Sequence, residues 1–422
     1  MKKPSRKKIE VWANWDPMDD PVLMGSLFSS VTRGNEIFSF EYDAQWLHSP
    51  FCQVIDPALS LFTGPQYSPV NRNNFGVFLD SCPDRWGRLL MRRREAQLAR
   101  EEGRPEQRLS ESDYLLGVHD SHRIGGLRFR TSPDGPFLDD NDLLASPPLT
   151  SLKELEMVSL NLEKEDSDQH PDYSKWLKML ISPGGSLGGA RPKASVVDSG
   201  GNLWIAKFPS RRDDENVGAW EKVVNILGTR AGINTAESQI RKYSSHHHTY
   251  LSKRFDRISG NRRIHFASAM TLLEYTDGDD STMDVSYLEL AEFIIRYGEN
   301  AKRDLEELWR RITFFICISN TDDHLRNHGF LLTPQGWSLA PAYDINPVPN
   351  STGLKLNVSE TDNSLDLELP LQVAPFFRVS KQRAEDILKV IKESVKNWRQ
   401  IANRYQISRN EQDRMASAFF TE

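Results

Sequence analysis

Two aspartates and an asparagine with a fixed spacing constrain this chain more than any other feature. Asp322 stands five residues before Asn327, and Asp344 follows within residues 343–347. Protein kinases use such a set to orient a substrate hydroxyl and to hold magnesium on a triphosphate. Aspartates are also common in turns, so Asp322 and Asp323 could be turn residues without chemistry. The spacing therefore predicts phosphoryl transfer only if the other parts of such a site are present.

The composition is that of an ordinary globular protein. Hydrophobic residues make up 38% and charged residues 27% of the 422 residues. A chain of this length is expected to form two or three subdomains rather than one core. The formal net charge of −6 gives no electrostatic basis for direct binding to nucleic acid, although a basic run at residues 92–94 remains.

The cysteines and the apolar runs indicate the compartment. Cys52, Cys82 and Cys317 are scattered without ligand spacing, which is typical of reduced thiols in the cytosol. The basic residues 2–8 are not followed by the apolar core of a signal peptide. The longest apolar run, residues 314–318, is far shorter than a membrane span. The sequence therefore predicts a cytoplasmic protein without membrane contact.

The order of predicted elements indicates the fold class. Short alternating apolar runs over residues 9–46 predict a small antiparallel sheet, the charged run 89–102 predicts a helix, and the chain from residue 287 onward has mainly helical patterns. Strands first and helices later favour an α+β protein. We predict four segments: an N-terminal subdomain at 1–130, a linker at 131–150, a lobe with the glycine loop and hinge at 151–256, and a helical lobe at 257–422.

A glycine-rich loop at residues 182–193 is the second part of the predicted site. Glycines allow backbone N–H groups to turn toward phosphate oxygens, and Lys193 would add a positive charge. The loop lacks the G-x-x-x-x-G-K-[ST] pattern of P-loop proteins. Taken alone, it is slightly better explained as a flexible connector.

Lys207, in the apolar run 203–209, is the third part. A lysine at a buried strand position is unusual unless it is paired. In kinases that lysine binds the α- and β-phosphates and pairs with a glutamate on the next helix. Glu221 is the first candidate for that glutamate, and Glu215 is the second. The alternative is an edge-strand lysine whose ammonium reaches solvent.

Residues 253–257 end the next predicted strand, where a hinge between two lobes is expected. The backbone there could pair with adenine and Asp256 with the ribose, although a solvated strand end is the alternative. Three histidines at 246–248 suggest zinc ligands, but successive residues of a hairpin turn point in different directions. An exposed turn is therefore favoured for the histidines.

The order of these parts favours a kinase-type site more than any single part does. The chain presents a glycine loop, a strand lysine, a helix glutamate, a hinge, the D-x-x-x-x-N pair and a second aspartate, which is the order found in kinases. Asp322 would accept or orient the proton of a hydroxyl. Asn327 and Asp344 would hold magnesium, since this cation prefers oxygen ligands.

These motifs resemble those of the HipA family, the kinase toxins of bacterial HipA–HipB type toxin–antitoxin modules. The matching motifs are residues 188–193, 206–209, 253–257, 320–328 and 343–347, together with N-terminal pieces around Gly25, Tyr42 and residues 83–88. The resemblance covers nearly the whole chain. It implies a two-lobed protein-kinase-like fold of the HipA type, with a small β-rich N-terminal subdomain and a mostly helical C-terminal lobe. It also implies ATP- and magnesium-dependent phosphorylation of serine or threonine on a translation protein, above all an aminoacyl-tRNA synthetase.

The resemblance also assigns roles to individual residues. Asp322 becomes the catalytic base, Asn327 and Asp344 the metal ligands, and Lys207 the phosphate lysine. The other nucleotide-binding residues predicted on this basis are Ser186, Leu187, Gly188, Gly189, Lys193, Lys253, Phe255, Asp256 and His324.

Ser186 aligns with the loop serine that the family can autophosphorylate. A phosphate there would add roughly two negative charges where the ATP phosphates should lie. We therefore expect phospho-Ser186 to expel the loop and silence the enzyme. Two residues depart from the family pattern: Asp323 replaces a small residue, and Lys253 stands where an acidic residue can occur. Both are expected to affect substrate choice.

Two other functions compete with an active toxin. The first is an inactive kinase-fold protein that serves as antitoxin partner and co-repressor. In the family, the HipB-like partner carries a helix-turn-helix and binds operator DNA, so DNA contact would be indirect. The second is a small-molecule kinase of the aminoglycoside type, against which the N-terminal subdomain argues. The intact lysine, aspartates and asparagine favour activity.

Overall fold

The computed structural model describes residues 6–140, 146–181, 189 and 191–421. Its strands are β1 (Lys7–Ala13), β2 (Val22–Thr32), β3 (Asn35–Tyr42), β4 (Gln66–Tyr67), β5 (Leu127–Arg130), β6 (Lys193–Val197), β7 (Leu203–Lys207), β8 (Ser238–Lys242), β9 (His248–Lys253), β10 (Arg257–Ile258), β11 (Arg262–Arg263), β12 (Phe266–Ser268), β13 (Gly329–Thr333) and β14 (Gly336–Leu339). Its α-helices are α1 (Ala44–Leu47), α2 (Gly76–Asp80), α3 (Arg85–Glu102), α4 (Glu111–Leu116), α5 (Leu152–Leu162), α6 (Tyr173–Ile181), α7 (Val217–Arg230), α8 (Ala269–Leu272), α9 (Tyr287–Tyr297), α10 (Ala301–Cys317), α11 (Glu368–Val373), α12 (Lys381–Lys396), α13 (Trp398–Arg404) and α14 (Arg409–Met415).

The chain divides into two compact units, each formed by two segments. Unit 1 comprises Met1–Arg211 and Asp256–Thr276, and unit 2 comprises Arg212–Phe255 and Asp277–Glu422. The predicted division into four segments stays a prediction.

Unit 1 is built on a five-stranded antiparallel sheet of order β4-β3-β2-β1-β5. The alternation of β1 buries Ile9, Val11 and Ala13 completely, as the period of a half-buried strand requires. Gly25 of β2 lies very close to the β3 backbone, because a Cβ there would overlap the Glu41 carbonyl oxygen. This position therefore admits only glycine without a shift of the β3 backbone.

A buried arginine joins the loops on one side of this sheet. The guanidinium of Arg123 donates to the carbonyls of Ser81, Leu115, Val118 and Leu138 at 2.8 to 2.9 Å. Burial lowers its pKa to about 10, because a low-dielectric interior disfavours the charged form. The four carbonyls solvate the cation in place of water.

Unit 2 is mainly helical, and its helices carry the chain to the two loops of interest. Trp398 stacks on Phe419 with ring centroids 4.6 Å apart, and both rings lie about 6 Å from that of Trp220 in α7. The buried helix α10 leads into residues 318–328, and the hairpin of β13 and β14 leads into residues 340–348. Both loops therefore start from elements fixed by the apolar core of the unit.

Candidate functional site

The loop between α10 and β13 carries the D-x-x-x-x-N pair. The helix ends at Cys317, and the N–H of its C-cap Ile318 donates to the Phe314 carbonyl at 3.1 Å. Ser319 then adopts a positive φ of 49°, a backbone region that costs free energy for a residue other than glycine. This turn directs the chain away from the helix axis and into residues 320–328.

Asp322 and Asn327 are joined through the backbone of this loop. The amide Nδ2 of Asn327 donates to the Asp322 carbonyl at 3.2 Å, and its N–H donates to the His324 carbonyl at 2.8 Å. Because Nδ2 is used in this way, Oδ1 is the end of the amide that could bind a metal ion. The side chain of Asp322 is exposed, whereas Asn327 is buried. The loop thus offers a solvent-accessible carboxylate and a fixed amide.

Asp323 points to the opposite side from Asp322 and is buried. Its Oδ2 accepts a hydrogen bond from the Tyr287 hydroxyl at 2.7 Å and lies 2.6 Å from His328 Nε2. Burial, and then the charge of Asp323, raise the pKa of Tyr287 well above its ordinary value. Sequence reasoning missed these contacts. The histidine directly after Asn327 was the available signal.

A second loop, which carries Asp344, is bonded to the first. The Tyr343 hydroxyl donates to the Arg326 carbonyl at 2.7 Å, and the Asn346 N–H donates to Asn320 Oδ1 at 3.0 Å. Asp344 lies between these two anchors with a positive φ of 57°, a conformation that aspartate tolerates better than most residues. The structure therefore brings the Asp344 loop onto the loop of the D-x-x-x-x-N pair.

A buried oxygen to which no described residue donates a hydrogen bond lies in the same loop as Asp344, the predicted magnesium ligand. Asn346 Nδ2 lies 3.4 Å from Asp344 Oδ1, while the buried Asn346 Oδ1 has no hydrogen-bond partner among the described residues. A buried carbonyl oxygen is costly to leave without a partner. This oxygen, like the predicted ligands Asp344 and the amide oxygen of Asn327, is of the type that magnesium prefers, and the metal role of these residues stays a prediction. The described part of the chain contains no cluster of three or more His, Cys, Asp or Glu side chains with metal-binding geometry.

Two further predicted residues lie beside the Asp344 loop. The rings of Phe255 and Tyr343 have centroids 5.3 Å apart. The pKa of Tyr250 is raised well above its ordinary value by burial first, and then by the charges of Glu221 and Asp344, against a hydrogen bond that lowers it. The charges of Glu221 and Asp344 thus act on the same buried hydroxyl.

Lys253 ends strand β9. Its N–H donates to the Glu237 carbonyl at 2.8 Å, and its Nζ lies 3.2 Å from the Glu237 carboxylate. Because the N–H is used in strand pairing, an adenine contact from this backbone would need the carbonyl of Lys253. The nucleotide role of Lys253 stays a prediction.

Asp256, the predicted ribose ligand, belongs to unit 1 and is completely buried. Its Oδ2 accepts hydrogen bonds from the Gly125 N–H at 2.8 Å and from Arg257 Nη1 at 2.6 Å. These bonds give the carboxylate a structural role within the unit. A ribose hydroxyl would have to compete with them, and the ribose contact stays a prediction.

The predicted phosphate residues Lys193 and Lys207 face each other across β6 and β7 of unit 1. Lys193 Nζ lies 2.7 Å from Asp84 Oδ2 and donates to the Gly189 carbonyl at 2.8 Å, and both side chains of the ion pair are almost completely buried. A phosphate contact of Lys193 would require this pair to open. Lys207 is also buried, and its predicted pairing with Glu221 stays a prediction.

The other residues named from the sequence are three residues of the glycine-rich loop, His324, and the histidines at 246–248. Ser186, Leu187 and Gly188 lie outside the described residues. His324 has a buried Nδ1 without a hydrogen-bond partner in the part of the chain that is described, and its nucleotide role stays a prediction. Of the three histidines at 246–248, His248 pairs with the N-cap of α7, since its Nδ1 lies 2.8 Å from Asn216 Nδ2.

Comparison with protein families identifies the chain. A family model described as the HipA-like C-terminal domain matches residues 185–399, just over half of the 422 residues. The chain belongs to this family. A protein of Haemophilus influenzae that is named as a candidate kinase is 28% identical over 196 residues, which are 41% of this chain and 57% of that protein. The chain thus spans a little over half the length of this relative.

Solved structures give the fold. HipA of Shewanella oneidensis MR-1, determined with HipB and its operator DNA as a toxin–antitoxin system, matches with a TM-score of 0.64 and 18% identity, over 97% of this chain and 94% of that chain. The proinflammatory kinase CtkA of Helicobacter pylori gives a TM-score of 0.34 and 14% identity over 54% of this chain and 92% of its own, a likeness too low to support an inference. The predicted α+β fold of the HipA type and the resemblance to the HipA family are confirmed. Within the described ranges, no helix combines the length and the apolar character needed to cross a membrane.

Proposed function

We propose that this protein is an ATP- and magnesium-dependent protein serine/threonine kinase that acts as the toxin of a toxin–antitoxin module. The observation that carries the proposal is the joining of two loops in unit 2 by the Tyr343–Arg326 and Asn346–Asn320 hydrogen bonds. Phosphoryl transfer depends on positioning and charge neutralisation, so a fixed arrangement of carboxylate and amide groups supports it. Membership of the HipA-like family supports the same reaction.

In this proposal four polar residues of the two loops, and Lys207 of unit 1, have roles in the reaction. The exposed carboxylate of Asp322 accepts the proton of a serine or threonine hydroxyl and orients that oxygen toward the γ-phosphate. Asn327 and Asp344 would hold magnesium, and Asn346 Oδ1 would be a further oxygen ligand. Bound magnesium would neutralise charge on the β- and γ-phosphates. Lys207 is assigned to the α- and β-phosphates of ATP.

The resemblance to the HipA family supports the choice of substrate and partner. The substrate would be a translation protein of the aminoacyl-tRNA synthetase class, and Ser186 would be a site of autophosphorylation. The Shewanella HipA was determined with HipB and operator DNA, which supports a HipB-like helix-turn-helix antitoxin as partner. DNA would then be contacted only through the antitoxin, and the protein would act in the cytoplasm.

Phosphate transfer from labelled ATP tests the proposal. Purified wild-type protein with magnesium should label itself or an added aminoacyl-tRNA synthetase, and Asp322→Ala should reduce the rate by roughly 10²–10⁴-fold because the general base is lost. Asp386→Ala, which removes another exposed aspartate of unit 2, on α12, should leave the rate unchanged. A wild type that labels nothing, Ser186 included, would exclude the kinase and favour the inactive co-repressor.

A further inference from the structure

Three buried polar side chains contact one another at the loop of the D-x-x-x-x-N pair, two from the loop itself and one from helix α9. Asp323 directly follows Asp322, and His328 directly follows Asn327. The side chains of Asp323 and His328 are 2% and 1% exposed, and Tyr287, the first residue of α9, is completely buried. We call Tyr287, Asp323 and His328 the loop clamp.

A single carboxylate oxygen joins the three side chains. Asp323 Oδ2 accepts the Tyr287 hydroxyl at 2.7 Å and lies 2.6 Å from His328 Nε2. Since a carboxylate can only accept, the tautomer that satisfies this pair carries its proton on Nε2. The His328 and Tyr287 rings also pack edge to face, with centroids 5.7 Å apart and planes at 80°. Both ends of the loop are thus attached to the start of α9.

The two hydrogen bonds of the loop clamp share a carboxylate as acceptor, which makes them strong. Hydrogen bonds to an ionised acceptor are roughly twice as strong as those between neutral groups, and a buried carboxylate that lost them would be left without solvation. Asp323 therefore has one favourable orientation, toward the interior. Its neighbour Asp322 is exposed to solvent, and the 3.2 Å bond from Asn327 Nδ2 to the Asp322 carbonyl joins the two residues that directly precede the clamped Asp323 and His328.

We propose that the loop clamp is a positioning device for the kinase reaction: it fixes the orientation of the exposed Asp322 carboxylate relative to the Asn327 amide. The three clamp residues do not touch the reacting groups in this scheme. They act through the residues next to them in the chain. The inference rests on the proposed function and explains why Asp323, where a small residue was expected, is accommodated in this chain.

A purely structural role is the competing explanation. The Phe315 ring lies 6.3 Å from that of His328, so the clamp also borders the apolar core of unit 2. A structural role would lower stability and leave turnover of the folded enzyme unchanged. A positioning role changes turnover and magnesium dependence in molecules that remain folded.

Three variants separate these roles. Tyr287→Phe removes only the hydroxyl, and Asp323→Ala removes the shared acceptor. We expect kcat to fall about 10-fold in the first and roughly 10–100-fold in the second, the usual effect of removing a residue that supports a ligand. The KM for ATP should change less than about threefold, while the magnesium concentration needed for half-maximal rate should rise. Asp323→Asn, whose amide oxygen can still accept both bonds, should recover most of the lost rate.

Asp304→Asn is the matched control. Asp304 is a buried carboxylate of α10 in the same unit, and it accepts hydrogen bonds from the Leu339 N–H at 2.9 Å and from Arg303 Nε at 2.8 Å, outside the loop. This variant should lose stability and keep the kcat of the folded enzyme. Hydrogen exchange of the amides of residues 319–328, measured without nucleotide, should be faster in Tyr287→Phe and Asp323→Ala and unchanged in Asp304→Asn.

The outcomes separate the clamp from the proposed function. An active wild type whose Tyr287→Phe and Asp323→Ala forms keep kcat and magnesium dependence would overturn the clamp, as would an equal loss of kcat in Asp304→Asn. Unchanged loop exchange in both clamp variants would also overturn it. If the wild type transfers no phosphate, the proposed function fails, and loop exchange alone then decides whether the clamp holds the loop.

Discussion

The sheet of unit 1 and the two joined loops of unit 2 bury their residues in opposite ways. In the sheet, regular pairing satisfies the backbone, and apolar residues such as Ile9 and Val11 fill the interior. The loops instead bury Asn320 and Asp323 and turn through positive φ at Ser319 and Asp344. Strained backbone and buried polar groups persist only where the surrounding structure holds them, and they are concentrated at functional sites.

The two kinds of burial predict different effects of mutation. Changes to buried groups of unit 1 that do not contact the nucleotide should lower the free energy of unfolding with little effect on the chemistry of each folded molecule. Changes to the joined loops should lower activity with little effect on stability.

The largest effect is expected at the Asp344 loop. Asp344→Asn keeps the size and the tolerance of positive φ but removes the charge that would face magnesium. We expect the rate of phosphate transfer to fall on the order of 10³-fold, with a melting temperature close to that of the wild type. Expression of the wild type should arrest bacterial growth, and expression of Asp344→Asn should not.

Asp284→Asn is the control for that variant. Asp284 is an exposed aspartate of the same unit with a nearly identical positive φ of 61°, so the substitution tests the backbone conformation without touching the loops. It should leave both rate and growth arrest intact. Full activity of Asp344→Asn would remove the metal role of Asp344.

The second effect concerns stability, at the buried ion pair of unit 1. Lys193→Met leaves the Asp84 carboxylate buried without its cation, which typically costs about 3–5 kcal/mol of the free energy of unfolding. Asp84 also accepts the Gly87 N–H at 2.8 Å as N-cap of α3. Denaturant unfolding of the purified variant measures the loss.

The double variant Asp84→Asn with Lys193→Met sharpens this test. Removing both charges should recover much of the stability, because no uncompensated ion remains and the asparagine still caps α3. If Lys193 is only structural, the double variant regains activity together with stability. Recovery of stability without activity would instead support the predicted phosphate contact of Lys193.

The smallest expected effect is a pH dependence of the free energy of unfolding, which arises from Asp80 in unit 1. Burial raises the pKa of Asp80 from 3.8 to about 6, against hydrogen bonds from Ser268 that lower it. Because the folded protein binds this proton more tightly than the unfolded chain, stability is highest at low pH and decreases as pH rises from about 4 to about 6.

Comparison with Asp80→Asn isolates the contribution of Asp80 to the pH dependence of stability. Between pH 4 and pH 7 the wild type should lose about 1–3 kcal/mol of unfolding free energy relative to the variant, measured by denaturant titration at each pH. A difference between the two proteins that does not change with pH would show that the Asp80 pKa is not raised.

Local patterns predicted much of the fold. The alternation over residues 9–46 predicted strands, and β1 to β3 lie there. The helix predicted at 89–102 begins earlier, at Arg85, because Asp84 caps it. Helix α6 (Tyr173–Ile181) was not predicted. It packs against α3 and α5, and such tertiary packing supplies most of the stability of a short helix.

The candidate site was only partly predictable. Spacing made Asp322, Asn327 and Asp344 candidates, since each proposed role needs one residue type at one distance along the chain, and their roles stay predictions. The anchors that join the loops, Tyr343 and Asn346, were not recognised, because their partners Arg326 and Asn320 are 17 and 26 residues away. A hydrogen bond between distant segments leaves no periodic pattern in the sequence.

By itself, the sequence determined the strands of residues 9–46, the mainly helical pattern of the last third of the chain and the presence of residues typical of a kinase site. Those properties depend on neighbours within a few positions of the chain. Only the tertiary structure decided that Asp322 faces solvent while Asp323 is buried against Tyr287 and His328. Two adjacent aspartates are chemically identical in the sequence, and their roles differ because burial and hydrogen bonding are set by residues that folding brings from elsewhere.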